Sequence, residues 1–436
     1  MTAGTLLLIV AAIVLALAGA RYTFVSRGLP GWLQPLLGTG VLFVFLGLLT
    51  GPQGANLFTE TIIAQLNPVL VIALGWIGFL YGSHLEWRLL KRYPINLYLG
   101  GFFESLVTFG LVAGGSWWAL QTWGADLGSA TERLLGALIL GICAAGTAPA
   151  GLFLLTFGRK MEARHLNTLR FFSAVDDLPA LFVLALMDAF FRPDSHISRL
   201  MAPSEAPGGS PQGEGLFGVI ESVTMMEGAF WLFITLGLGA GLGVITHWLF
   251  HRGDEQRQNS LILLGVVSLG AGAASLLHLS PLVVMALAGS TFANLSHSKE
   301  SAYGLLVERE QSLYAVFLMI SGMVIYFDIR SLLLVVPILV GLRTVGKLLG
   351  CYVVARWFLP GLSLSPFLGA GMLFQGGLAL ALSVSFYRSQ EVPWASTLFT
   401  GILLSVVLNE LLAPWLTATV ISRKNEGVRD GKRGGP

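Results

Sequence analysis

Apolar runs long enough to cross a lipid bilayer recur along the whole of this sequence, and that repetition constrains the fold more than any motif. A hydrocarbon core of about 30 Å takes about 20 helical residues. Runs of that order lie near 4–20, 33–50, 62–82, 95–120, 134–156, 166–191, 229–250, 260–277, 281–297, 312–326, 332–357, 364–387 and 396–418. The stretches at 281–297 and 312–326 are short. Of the 436 residues only 11% are charged and 54% are hydrophobic, with a mean hydropathy of +0.75. A soluble domain carries about 25% charged residues, so this chain has too few charges to cover a surface facing water. The expected fold is an all-α polytopic membrane protein of thirteen helices in one bundle.

Charge placement tests that count independently, because cytoplasmic loops concentrate Lys and Arg. With the N-terminus outside, the inner segments hold eighteen of the 26 basic residues and the outer segments five, the rest lying within spans. The bias predicts an odd number of spans and a cytoplasmic C-terminus. The net charge of +2 forms no basic patch of nucleic-acid size. Met1 to Ala20 lacks the basic start of a signal peptide and reads as a retained first span. Cys143 and Cys351 both lie within apolar runs and read as packing residues. The connection near 192–228 is rich in Pro, Gly and Ser, as a mobile outer loop would be. Residues 1–423 are expected to form the transmembrane part, followed by a short basic tail over 424–436 with no regulatory domain after it.

Charges at bilayer depth are costly and mark function or pairing. Asp176 and Asp177 sit about ten residues into their span, near the midplane at about 1.5 Å per residue. Neighbours on a helix diverge by about 100°, so one can face a cavity while the other faces a packed helix. Pro179 removes a backbone donor just beyond them. Burial favours the protonated form of a carboxyl group and a nearby cation favours the ionised form. The pair can therefore divide into an exchanging site and a structural partner. Lys347 is the expected counter-charge, with Arg343 one turn earlier. Glu104 and Glu410 are further intramembrane acids; either could pair with Arg343 or lie near an interface with no specific role. His278 falls at a tight turn between spans.

Two spans contain breaks, at Gly146-Thr147-Ala148-Pro149-Ala150-Gly151 and at Gln375-Gly376-Gly377. Unwound backbone at membrane depth survives only where protein or a watery cavity satisfies it. Interrupted helices in corresponding positions of two halves point to a transport site.

The order of these features resembles the second branch of the monovalent cation:proton antiporter superfamily. Gly51-Pro52, Thr147-Ala148-Pro149, Val175-Asp176-Asp177, Leu279-Ser280-Pro281 with Ala288-Gly289, Ile320-Ser321-Gly322-Met323 and Gly346-Lys347-Leu348-Leu349-Gly350 carry the likeness. The resemblance implies inverted repeats, with two broken helices crossing in a core of about 95–191 and 332–418. A scaffold of about 4–82 and 229–326 would carry that core and form a homodimer. By position, Asp177 would bind the transported cation or proton and Asp176 would pair with Lys347. Backbone near Thr147, Ala148, Pro149, Gln375 and Gly376 would line the site. Ala148 stands where a polar residue is common, and Gln375 where many relatives carry arginine. The implied activity is electrogenic exchange of Na⁺, or of K⁺ or Li⁺, for H⁺ by alternating access across a bacterial-type plasma membrane, with no cofactor. A sodium-coupled organic-anion symporter is the nearest rival and a non-transporting membrane sensor another. An intramembrane aspartyl protease needs two carboxylates converging on one water, which adjacent residues on one helix do not readily provide.

Overall fold

The computed structural model describes residues 40–91, 93–123, 128–148, 163–191, 225–251, 256–296, 299–326, 331–360, 366–389 and 394–433, together with residue 14. Every regular element among them is helical. The main helices are α1 (Val41–Thr50), α2 (Asn67–Ser83), α3 (Ile95–Trp123), α4 (Ala130–Ala145), α5 (Ala163–Val175), α6 (Asp177–Phe190) and α7 (Met225–His251). They continue as α8 (Gln256–Leu276), α9 (Pro281–Leu295), α10 (Lys299–Met323), α11 (Val336–Val353), α12 (Gly376–Ser389) and α13 (Ala395–Arg433). Ile95–Trp123, Met226–Phe250, Asn259–Leu276, Leu333–Phe358 and Ala395–Ala413 are each long and apolar enough to cross a membrane. The protein is a multi-pass α-helical membrane protein.

Local sequence explains where the helices begin and break. Ser129 and Glu132 form a reciprocal capping box that starts α4. Ser280 accepts from the Val283 amide and Pro281 fills the first helical position of α9. His278, at φ 53°, occupies the left-handed region in the turn before it. The expected span over 166–191 is divided at Asp176 into α5 and α6. Pro179 in the first turn of α6 has no N–H to carry the helical ladder across that point.

Packing sorts the helices into two groups. The first comprises α1, α2, α7, α8, α9 and α10, with α2 against α9 as its spine. The second comprises α3, α4, α5, α6, α11, α12 and α13, where α3 lies against both α4 and α11. One apolar cluster, including Trp76, Phe79, Met285 and Phe292, belongs wholly to the first group. Another, including Phe172, Cys351, Met372 and Phe374, belongs wholly to the second. The groups meet mainly where α6 packs on α7, and Ser280 and Ser385 hydrogen-bond across the boundary at 2.7 Å. A cavity of about 510 Å³ lies along it, lined by Asn67, Leu70, Ser321, Tyr326, Tyr387 and Phe399 among others. Asp176 and Asp177 are not part of its lining.

Three helices extend beyond the expected apolar runs. The apolar run expected near 312–326 is present as Ser312–Met323, and helix α10 begins before it, at Lys299, so part of the expected inner segment is helical. Its first turns, Lys299 to Gln311, hold three Glu, two Leu and no proline, a composition that extends a helix beyond its apolar part. Helix α13 likewise runs through the expected tail to Arg433, since charge-rich, proline-free sequence leaves hydrogen-bonded backbone intact. Helix α7 begins at Met225, inside the expected 192–228 loop; residues 192–224, the span near 4–20 apart from residue 14, and Pro149 lie outside the described residues.

Backbone contact sets the closest helix crossing. A methyl group placed on Gly82 would overlap the Ala286 carbonyl, and one on Gly289 the Phe79 carbonyl. Without a hydrophobic drive between helices in lipid, such close approach supplies the packing energy. Gly82→Val should therefore lower the apparent Tm in detergent, by an overpacking cost of about 1–3 kcal/mol or more. Thermal unfolding of purified protein measures it, and an unchanged Tm would contradict the crossing.

Candidate functional site

The two breaks expected in the sequence are present and touch. Helix α4 ends at Ala145 and the chain runs extended through Gly146, Thr147 and Ala148. A 3₁₀ segment, Pro366–Met372, is followed by Leu373, Phe374 and Gln375 without regular structure before α12 begins. The Ala148 amide donates to the Phe374 carbonyl at 3.0 Å, joining the two unwound segments. Gly376 takes φ 64°, and a β-carbon there would collide with the side chain of Ala148. The small residue at 148 and the glycine at 376 are thus demanded by one contact.

Helix ends buried in this way leave carbonyls without intrahelical partners and a partial negative charge. Side chains answer nearly all of them. Arg343 Nη2 donates to the Gly146 carbonyl at 2.8 Å, and its Nη1 to the Leu373 carbonyl at 3.0 Å. Longer contacts from the same guanidinium reach Met372 and Phe374. Lys347 Nζ donates to the Ala145 carbonyl. Gln375 Nε2 donates to the Cys143 carbonyl at 2.8 Å, while its Oε1 accepts from Asn409 at 2.7 Å. At the opposite pole, the Gly376 amide that opens α12 donates to Glu410 Oε1 at 2.8 Å. A carboxylate there complements the positive end of the helix.

The adjacent acids fill the space beside α4's end. Asp176 Oδ2 accepts from Lys347 Nζ at 2.9 Å and from the Thr147 hydroxyl at 2.6 Å. The backbone carbonyl of Asp176 accepts from Ser105, and that of Thr147 accepts from Ser173. Asp177 is 4% exposed, its carboxylate faces the Thr147 amide, and a β-carbon on Gly146 would strike its Oδ1. Asp176 Oδ1 and Asp177 Oδ1 are both buried with no hydrogen-bond partner among the described residues.

The structure assigns Glu104 and Glu410 differently from the sequence expectation. Neither is hydrogen-bonded to Arg343, whose described partners are carbonyls. Glu104 Oε2 instead lies 3.1 Å from Lys347 Nζ, and Glu410 holds the α12 amide. The physical reason is that helix ends are charges too, and sequence reading had counted only side chains. Ser105, Thr108, Ser173 and Asn409 were also missed. Asn409 had a signal, being an amide beside Glu410 in an apolar span; the hydroxyls had none, since Ser and Thr commonly bond to their own helix. Cys143 and Cys351 are free, buried thiols within the packing.

Comparison with known proteins agrees with this geometry. A family described as "Sodium/hydrogen exchanger, transmembrane" matches residues 6–419. No curated protein sequence matches the chain. Among solved structures, the sodium proton antiporter MjNhaP1 from Methanocaldococcus jannaschii at pH 8 aligns at 17% identity with a TM-score of 0.57. The alignment covers 94% of this chain and 97% of that one, and shows a shared fold. The family match extends over almost the whole chain and includes both breaks and the buried acids, so the chain belongs to the sodium/hydrogen exchanger family, a family of secondary transporters rather than enzymes.

Proposed function

We propose that Asp177 is the carboxylate at which one monovalent cation, Na⁺ first and K⁺ or Li⁺ as alternatives, competes with a proton during alternating access. The observation that carries this reading is the pair of buried, unpartnered oxygens, Asp176 Oδ1 and Asp177 Oδ1, on consecutive residues beside unwound backbone. Carboxylate oxygens without donors suit a hard cation or a proton, and unwound backbone beside them supplies further oxygen ligands. Either occupant neutralises Asp177. A core carrying an uncompensated charge would meet a steep barrier on crossing apolar surroundings.

The two packing groups support a division of labour. The group built on α3, α11 and the broken helices would be the mobile core, moving in elevator fashion against the scaffold spine of α2 and α9. The cavity at their boundary would be an access route on one side. The resemblance noted above supports a homodimer through scaffold helices, and basic-residue bias supports an outside N-terminus and a cytoplasmic C-terminus in a plasma membrane. A role in pH homeostasis follows if proton exchange runs in cells. An organic-anion symporter would require a substrate-sized cavity at the acids, whereas the 510 Å³ cavity is lined elsewhere.

Asp177→Asn should reduce cation-driven proton movement in proteoliposomes to that of empty liposomes while leaving a folded protein. Wild-type exchange in the well-folded variant would remove Asp177 from the role. Gly146→Ala, which places a methyl group against the Asp177 carboxylate, should raise the apparent KM for the cation at least several-fold. An unchanged KM would show that the cation sits elsewhere.

Competition at one carboxylate also fixes a sign for pH dependence. A protonated carboxyl is a poor ligand, so apparent affinity falls as pH falls. Below the titration range the apparent KM should rise by about tenfold per pH unit, with maximal turnover changing less. The measurement is KM across a pH series at clamped membrane potential; a flat profile would indicate separate proton and cation sites.

A further inference from the structure

Arg388 lies in the last turn of α12 and lines the cavity between the two helix groups. Among the described residues it forms no ion pair. Its Nη2 donates to Ser275 Oγ on α8 at a long 3.4 Å, and its Nη1 is buried with no acceptor. A guanidinium is always charged, and a charge drawn out of water with no anion beside it is costly. The C-terminal end of α12 offsets part of that cost, yet it leaves Nη1 unsatisfied. The other helix group contributes Ser321 on α10, which lines the same cavity, is 1% exposed and has an Oγ with no partner. Two unsatisfied polar groups, one of them cationic, thus face each other's helix group across the boundary.

The rest of the wall narrows what kind of anion fits. Ile63, Leu70, Val324, Val384 and Phe399 are apolar. A small inorganic anion would leave them uncovered, whereas one apolar chain would cover them, gaining about 25 cal/mol for each Å² removed from water. A volume of about 510 Å³ suits a single drug-sized molecule. Glu60 also lines the cavity, but it is exposed, in the first turn of a short helix before α2. Water and salt screen it there, so the buried guanidinium sets the charge preference within.

We propose that this cavity is a binding site for a single-chain amphiphile with an anionic head, of the fatty-acid class and drawn from the surrounding bilayer, and that its occupancy inhibits exchange. Arg388 Nη1 donates to the head, and the chain lies against the apolar wall. Val384, Arg388 and Phe399 belong to the group that carries the broken helices, while Leu70 and Ser321 belong to the group built on α2 and α9. One occupant therefore touches both groups and resists any movement of one against the other. The site itself stands whatever the protein exchanges; only the inhibition rests on the antiport reading above.

Dodecanesulfonate is the probe, because its head stays charged at every working pH and carries no proton across a bilayer. The full chain in nanodiscs of zwitterionic lipid should bind it saturably, at a single molecule per chain, and neither dodecanol nor dodecyltrimethylammonium should displace it. Folded Arg388→Gln, checked by thermal unfolding and elution in detergent, should bind about tenfold more weakly or worse, as loss of a hydrogen bond to a charged group requires. Arg388→Lys should keep part of the affinity. Leu70→Trp, which fills the cavity and leaves the charge in place, should abolish binding. No saturable binding by wild type, displacement by either comparator, or undiminished binding by folded Arg388→Gln or Leu70→Trp would overturn the site. In proteoliposomes, saturating probe should suppress wild-type uptake of labelled Na⁺, K⁺ or Li⁺ and leave folded Arg388→Gln little affected; undiminished wild-type uptake with the site filled would overturn the inhibition. Absence of cation-driven proton movement by wild type with all three ions would instead sink the antiport reading, and the inhibition with it, while the binding measurement decides the site alone.

Discussion

Everything at the centre of this protein depends on neutralising two helix ends buried where water cannot reach them. Carbonyls at Ala145, Gly146, Leu373 and Phe374 lack helical partners, and an unpaired backbone polar group in an apolar setting costs several kcal/mol. Helix α11 resolves this with two cations one turn apart, Arg343 and Lys347, both fully buried. Their placement forces the rest. Gly346 and Gly350 let α3 approach on the side of Lys347, and Gly369 does the same for the 3₁₀ segment, where a β-carbon would overlap the Lys347 backbone. The breaks and the cations are one structural unit: neither is tolerable without the other.

That arrangement also explains why acids gather there in excess. Buried carboxylates at Glu104, Asp176, Asp177 and Glu410 surround two buried cations and a single exposed helix start at Gly376. Arg343 is committed to carbonyls and Lys347 is divided between two anions and a carbonyl. Asp177 has no cation among its hydrogen-bond partners, and its Oδ1, like Asp176 Oδ1, has no donor among the described residues. On the proposed reading, a site made this way would attract one positive charge, as a metal ion or a proton. It follows from an imbalance of charge, not from a ligand cage designed for a particular ion.

How much of this the sequence disclosed depends on the range of the interaction concerned. The membrane fold, the adjacent aspartates and the Gly-Thr-Ala and Gln-Gly-Gly interruptions are local signals, readable from hydropathy and from residues with special backbone behaviour. The partners of Arg343 were not readable, because carbonyls carry no letter and residues 343, 146 and 373 meet only after folding. Glu104 illustrates the same limit: its distance of 243 positions from Lys347 in sequence leaves no pattern to recognise. The ends of α10 and α13 were not legible for a different reason. Hydropathy marks where a helix leaves lipid, and these helices continue past that point on charged, helix-forming sequence.

The two departures from the family pattern become intelligible on the same physical terms. Ala148 offers no polar side chain, yet its amide makes the bond that joins the two breaks, and any larger side chain would meet Gly376. Its contribution is therefore made by backbone. Gln375 stands where the resemblance leads to an expected arginine, and a neutral amide there cannot offset the negative carbonyls of the 3₁₀ segment. It reaches instead in two directions, donating to Cys143 and accepting from Asn409. The missing positive charge is supplied by Arg343 from α11, whose guanidinium contacts the carbonyls of Met372, Leu373 and Phe374. Positive charge at the break is thus delivered by α11. Because α11 also presents Lys347 to Asp176 and Glu104, movement of that one helix would couple the stability of both breaks to the charge state of the acids.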